Sequence, residues 1–154
     1  MRGKAKKKLQ VPPSRIPDSK RIGDPSNLLP GGQDSSDRVS WRFTHVDHES
    51  RWGFNRMEAS VLCEVLTKLA GCESMTLNEL RTSRRLFKEY ELPSGLCKEA
   101  LDRLAATGRD DQSRIHRLQF TGTQRLYGFL QGSVFHVVWW DPDHEVYPTS
   151  PRNT

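Results

Sequence analysis

The sequence predicts an α+β fold: a small antiparallel meander sheet with two or three helices packed on one face, preceded by a disordered tail. Three observations predict it. The spacing of apolar residues changes from a helical period of about 3.6 to a strand period of two near residue 114. A two-residue turn, Gln131-Gly132, sits between two alternating runs, with glycine where a hairpin wants a positive φ. The third is the first 38 residues, MRGKAKKKLQVPPSRIPDSKRIGDPSNLLPGGQDSSDR, which hold almost nothing that could pack. Such a segment cannot bury enough surface to offset its ordering entropy, so residues 1–38 are expected to be a disordered basic tail. The folded unit is expected over 39–148, with a flexible end at 149–154.

Taken in order, 39-VSWRFTHVD-47 alternates and predicts a strand. The segment 56–71 places Met57, Val61, Leu62, Val65, Leu66 and Leu69 on one helical face and ends at Gly71. Thr76 followed by Glu79 is a capping box that opens a second expected helix over 75–92. A third is expected over 95–107, closed by Gly108. From there 114-RIHRLQF-120, 124-QRLYGFL-130 and 133-SVFHVVWW-140 read as three strands, so that helices precede a meander.

Of the 154 residues, 34 % are apolar and 28 % charged, and 24 Lys+Arg against 19 Asp+Glu give a formal charge of +5. A basic balance fits a polyanionic or acidic partner. Part of the excess, Lys4, Lys6, Lys7 and Lys8, lies in the tail. Cys63, Cys72 and Cys97 are odd in number and form no C-x-x-C, which argues against a disulfide frame or zinc site. With no apolar run long enough to span a bilayer, a cytoplasmic protein without a membrane or small-molecule cofactor is expected.

If Gln131-Gly132 is the hairpin loop, Tyr127 faces His136 and Arg125 faces Val138. Leu126, Gly128, Leu130, Phe135, Val137 and Trp139 then form one apolar face. Arg125, Tyr127, Phe129, Val134, His136, Val138 and Trp140 form the other, where aromatics could stack on bases while arginines meet phosphate. A plain second core face fits the same pattern, because strands favour aromatics in any case.

The order strand, helices, meander, with 124-QRLYGFLQGSVFHVVWWDPDHEVYP-148 at its end, resembles the RelE/ParE-like toxin superfamily. The resemblance implies a ribosome-dependent mRNA endonuclease that works by metal-independent acid/base catalysis, with RNA as substrate and an antitoxin protein as partner. It points to His144 as acid/base, with His136 or Tyr147 complementing it and Arg125 holding the phosphate. Arg114, Arg117, Tyr127 and Trp140 would bind RNA. The chain departs from the family's usual pattern at 141-DPDH-144 and in a longer helical region. Two alternatives stand beside this reading. One is a non-catalytic RNA- or protein-binding domain that uses the same face. The other is a metal-dependent hydrolase in which His45 and Asp47 converge with Asp141, Asp143 and His144. Asp-Pro-Asp is also an ordinary turn, with proline at its second position.

Overall fold

The computed structural model describes residues 38–149; the expected tail and the C-terminal end lie almost wholly outside them. The α+β class holds. Five strands form one sheet in the order β1-β5-β4-β3-β2, antiparallel except for β1, which pairs parallel with β5. The strands are β1 (Ser40–Arg42), β2 (Phe87–Glu91), β3 (Arg114–Gln119), β4 (Arg125–Gln131) and β5 (Val134–Asp141). The helices are α1 (Ala59–Glu73), α2 (Leu77–Thr82) and α3 (Lys98–Ala106). Among the described residues no helix is long and apolar enough to cross a membrane.

The expected capping box is present: Glu79 N donates to Thr76 Oγ1 at 3.1 Å and Thr76 N to the Glu79 carboxylate at 2.8 Å. The helix it starts is much shorter than expected. It ends at Thr82, and the chain turns through Ser83, whose carbonyl accepts from Leu86 and Phe87. In 81-RTSRR-85 there is no apolar residue to hold a helical face, whereas Phe87 and Tyr90 suit a strand that pairs with β3. The meander therefore gains an edge strand that helical periodicity concealed. The other end of the sheet is shorter than expected: of 39–47 only three residues pair as a strand.

Helix α1 buries Val65, Leu69 and Cys72, and leaves Leu62 and Leu66 exposed at 43 % and 51 %. The apolar stripe is wider than the face the sheet covers. The helix also runs past Gly71, and Ser74 N closes it on the Gly71 carbonyl.

The helices lie on both faces of the sheet, not on one. Helices α1 and α2 cover Phe87, Leu118, Leu126, Phe135, Val137 and Trp140. Helix α3, with Trp52 and the C-terminal Val146, covers Ile115, Tyr127, Phe129, Val138 and Trp139. Two details of β4–β5 produce this arrangement. The hairpin loop is Gly132-Ser133, because Gln131 pairs with Val134, and Gly132 takes the positive φ of +59°. A bulge between Tyr127 and Gly128 then leaves Val138 as an extra residue, since Gly128 pairs with Val137 and Tyr127 with Trp139. Beyond the bulge each residue of β5 is turned over, so Trp139 joins the α3 face and Trp140 the α1 face, the reverse of the expected assignment. Gly128 has no room for a side chain: a Cβ there would lie 2.2 Å from the His136 carbonyl oxygen.

The loop after β1 is fixed to the α3 face by one buried carboxylate. Asp47 accepts from Trp139 Nε1 at 3.0 Å and from Arg103 of α3 at 2.7 and 2.9 Å. It also caps the turn that follows, accepting from Glu49 N and Ser50 N. Burial alone would raise its pKa, but the Arg103 and Trp139 hydrogen bonds outweigh burial and hold it well below the usual carboxylate range. A carboxylate depressed in this way contributes stability above its unfolded pKa near 4, and that contribution is lost as pH falls through the folded value. Asp47→Asn should therefore destabilise the domain by about 2–3 kcal/mol at neutral pH, with the difference from the parent shrinking below about pH 4. Urea unfolding at pH 7 and pH 3 measures both.

Candidate functional site

The site lies on the α3 face of the sheet, at the end where β5 runs into Asp141-Pro142-Asp143-His144. Two adjacent ladder rows build it. In one, Lys88, Arg117, Tyr127 and Trp139 stand side by side across β2, β3, β4 and β5. In the next, Gln119, Arg125 and Asp141 do so. Because side chains alternate, rows two residues apart share a face, which brings Arg117, Arg125, Tyr127 and Asp141 together.

Asp141 is wholly buried and serves the backbone. Its carboxylate accepts from Asp143 N (3.3 Å), Glu145 N (2.8 Å) and Val146 N (2.8 Å). That fixes the turn and sets His144 at φ +56°, in the left-handed region a non-glycine residue seldom occupies. The Asp-Pro-Asp-His stretch is thus a turn, and the turn presents the imidazole. Burial first, then the nearby Arg125 guanidinium, lowers the His144 pKa; Asp141 pulls it the other way. The net result is an imidazole that is neutral at physiological pH.

Arg117 and Arg125 are 7 % and 8 % exposed. Neither has a carboxylate within salt-bridge distance among the described residues. Arg117 donates to the Gln119 side chain at 2.7 Å and to the Arg85 carbonyl at 3.3 Å. Arg125 donates to the carbonyls of Gly122 (2.6 Å) and Gln124 (3.0 Å). Burial first, then the Arg117 charge, pushes the Arg125 pKa down, with the neighbouring Asp141 carboxylate pulling the other way. Beside them Tyr127 Oη is buried and has no hydrogen-bond partner among the described residues. Burial, followed by Tyr90 and Asp141, raises the Tyr127 pKa, so the phenol keeps its proton and remains a donor. Two buried cations and an unused donor are what an oxyanion would satisfy together.

A basic cleft of about 480 Å³ lies along β2 on the opposite, α2 side of the sheet, lined by Arg81, Arg84, Arg114 and Glu89, with Lys88 at the strand's unpaired edge. Glu89 in that cleft is engaged by His116 at 3.0 Å and Arg114 at 3.4 Å. Tyr90 and Tyr147 stack at 3.9 Å between ring centroids, and the Lys88 ammonium lies 5.4 Å from the Tyr90 ring.

Of the residues singled out from sequence, Arg117, Arg125, Tyr127 and His144 gather here; Arg114 lies on the opposite face of the sheet, beside Glu89. Others are placed elsewhere. His136 stands five residues before Asp141 on β5, about 17 Å away along the strand, and is excluded from the group around His144. Trp140 is buried on the α1 face against Phe120, and Tyr127 contributes its hydroxyl, its ring being core. Neither offers a surface for stacking. The Tyr147 ring, hydroxyl included, packs over Gly95. The two expected metal clusters do not converge: Asp47 is closed by Arg103 and Trp139, His45 faces Arg109, Asp141 is taken by backbone N–H groups, and Asp143 is exposed. Among the described residues no three His, Cys, Asp or Glu side chains come together as a metal would need. Sequence reasoning missed Gln119, which orients Arg117, and Lys88 and Tyr90, hidden in a segment read as helix. The aromatic and β-branched content of 86-LFKEYEL-92 was the available signal. No protein-family model, curated protein or solved structure gives a significant match to the chain.

The orphaned phenol yields a test. Tyr127→Phe removes a buried polar atom that has no partner, so its thermal midpoint should match or exceed the parent's, by up to about 1 kcal/mol of added stability. The same variant should show a smaller rise in midpoint with added inorganic phosphate than the parent does. A large destabilisation would mean the hydroxyl has a structural role.

Proposed function

We propose that the chain is a metal-independent RNA endonuclease whose active site is His144 with Arg117, Arg125 and Tyr127. The observation that carries the reading is the pair of buried arginines without carboxylate partners beside a neutral imidazole and a protonated phenol. Cleavage of RNA without a cofactor needs a base for the 2′-hydroxyl proton and fixed positive charge around the phosphate. Neutral His144 is suited to take that proton. The 2′-oxygen attacks phosphorus, the bond to the 5′-oxygen breaks, and the imidazolium or water returns the proton to the leaving oxygen. Arg117 and Arg125 stabilise the charge that develops on the non-bridging oxygens, and Tyr127 Oη donates to one of them. Their desolvation raises the worth of each contact. The products are a 2′,3′-cyclic phosphate and a 5′-hydroxyl end.

The resemblance to RelE/ParE-like toxins extends this reading to mRNA on the ribosome and to an antitoxin as partner. The formal charge of +5 and the basic cleft of Arg81, Arg84 and Arg114 on the opposite face of the sheet suit a polyanionic partner. The left-handed backbone at His144 supports a functional role too, because such strain concentrates where a side chain must be aimed.

Purified protein added to a translating extract should cut transcripts, leaving 5′-hydroxyl ends, with EDTA making no difference. His144→Asn, which accepts the same backbone conformation, should abolish cutting while unfolding at the parent's urea midpoint. Arg125→Gln should lower turnover about 100-fold or more. Because the base must be neutral, the rate should rise with pH through a pKa below the ordinary 6.5 of histidine. Intact transcripts, or full cleavage by His144→Asn, would contradict the proposal.

A further inference from the structure

A separate cleft belongs to other residues. It lies at the opposite end of the same sheet face, between the loop after β1, the turn after α3 and the hairpin end of β4–β5. It encloses about 610 Å³ and is lined by His45, Arg109, Gln112, Phe129, Gln131 and His136, among others. That volume is within the range of small-molecule sites.

The lining is rich in planar groups around one guanidinium. Arg109 donates to His45 Nδ1 at 2.7 Å and to the Thr107 carbonyl at 3.0 Å. These two bonds fix the guanidinium, and with five N–H donors in all it keeps others free. No carboxylate lies within salt-bridge distance of it among the described residues. Since His45 Nδ1 accepts, its proton is on Nε2, and the ring presents a donor. The His45 and His136 rings lie 5.5 Å apart, tilted by 41°. His136 Nδ1 is buried and has no hydrogen-bond partner among the described residues. Asp111 is the only carboxylate in the lining, and its side chain accepts from Gln112 Nε2 at 3.2 Å. The amides of Gln112 and Gln131 present donor and acceptor groups of the kind that pair with a base edge, and the Phe129 ring forms part of the wall.

We propose that this cleft binds a nucleoside monophosphate, or a ligand of that class: one phosphate on Arg109 and one flat heterocycle laid against the imidazoles and Phe129, its edge toward the two amides. The inference is independent of the nuclease reading, because the two sites share no residue and lie at opposite ends of the strands. It gives the buried His136 nitrogen a partner, and it gives Arg109 the counterion that the fold withholds.

The test uses the full chain, titrated by NMR or calorimetry with adenosine 5′-monophosphate, adenosine and inorganic phosphate. The monophosphate should bind saturably, and adenosine and phosphate each at least about tenfold more weakly. Arg109→Gln should weaken monophosphate binding by about tenfold or more, His136→Asn should also weaken it, and Arg125→Gln should leave it unchanged. The two cleft variants guard against either one failing to fold. Absence of saturable binding would overturn the proposal. So would phosphate binding to the Arg125→Gln protein as tightly as the monophosphate, or monophosphate binding lost in Arg125→Gln and kept in Arg109→Gln, which would assign the ligand to the meander site instead.

Discussion

The carboxylate of Asp47 is the tie on which the rest of the structure depends. Three separate parts of the chain meet on it: the loop after β1, α3 through Arg103, and β5 through Trp139. Alongside, Asp47 N donates to the Val138 carbonyl and Trp140 N to that of Trp52, so the loop is laid against β5 by backbone bonds as well. Trp52 is thereby held against Trp139 at 5.3 Å, and the second face of the sheet is closed. Around its edge Arg51 bridges Glu99 of α3 and Glu145 of the C-terminal segment. Without this closure the α3 face would be the open aromatic-basic surface that the strand alternation predicts. With it, most of that surface becomes core, and only its two ends remain available.

Those two ends are where the proposed sites lie. At one, the Asp141 turn delivers His144 beside Arg117, Arg125 and Tyr127; at the other, His45, Arg109 and His136 border an open cleft. Both share a physical property: buried or half-buried polar groups that the protein itself leaves without a counterpart. The buried carboxylates Asp47 and Asp141 each have several donors, whereas Arg38 Nε, Trp41 Nε1 and Trp52 Nε1, outside the two sites, also lack partners among the described residues. Unmet groups in such a setting carry a free-energy cost of order 1–3 kcal/mol apiece, and a ligand would recover it.

The fold class and four of the five strands were legible, β1 only in part, because period-two alternation and the glycine turn act locally. The capping box at Thr76 was equally legible, but where its helix stopped was not: Arg81, Arg84 and Arg85 satisfy a helical pattern and a loop alike, and only pairing with β3 decides for a strand. The assignment of Trp139 and Trp140 failed for a different reason. A one-residue loop shift and a bulge at Val138 are set by how Gly128 meets the His136 backbone across the hairpin, a contact that alternation does not encode. Arg125, Tyr127 and His144 were found as candidates from residue type alone. That Arg117 and Arg125 are buried without a salt-bridge partner depends on which carboxylates the fold commits to other donors, and no single segment carries that information.

The central claim is that the paired arginines and the orphaned phenol hold a phosphate. A crystal structure of the protein with a short RNA blocked by 2′-O-methylation would test it most directly. The account predicts one backbone phosphate with oxygens at hydrogen-bond distance from Arg117, Arg125 and Tyr127 Oη, and the methylated 2′-oxygen facing His144. RNA bound elsewhere, with Tyr127 Oη still unpartnered, would contradict it.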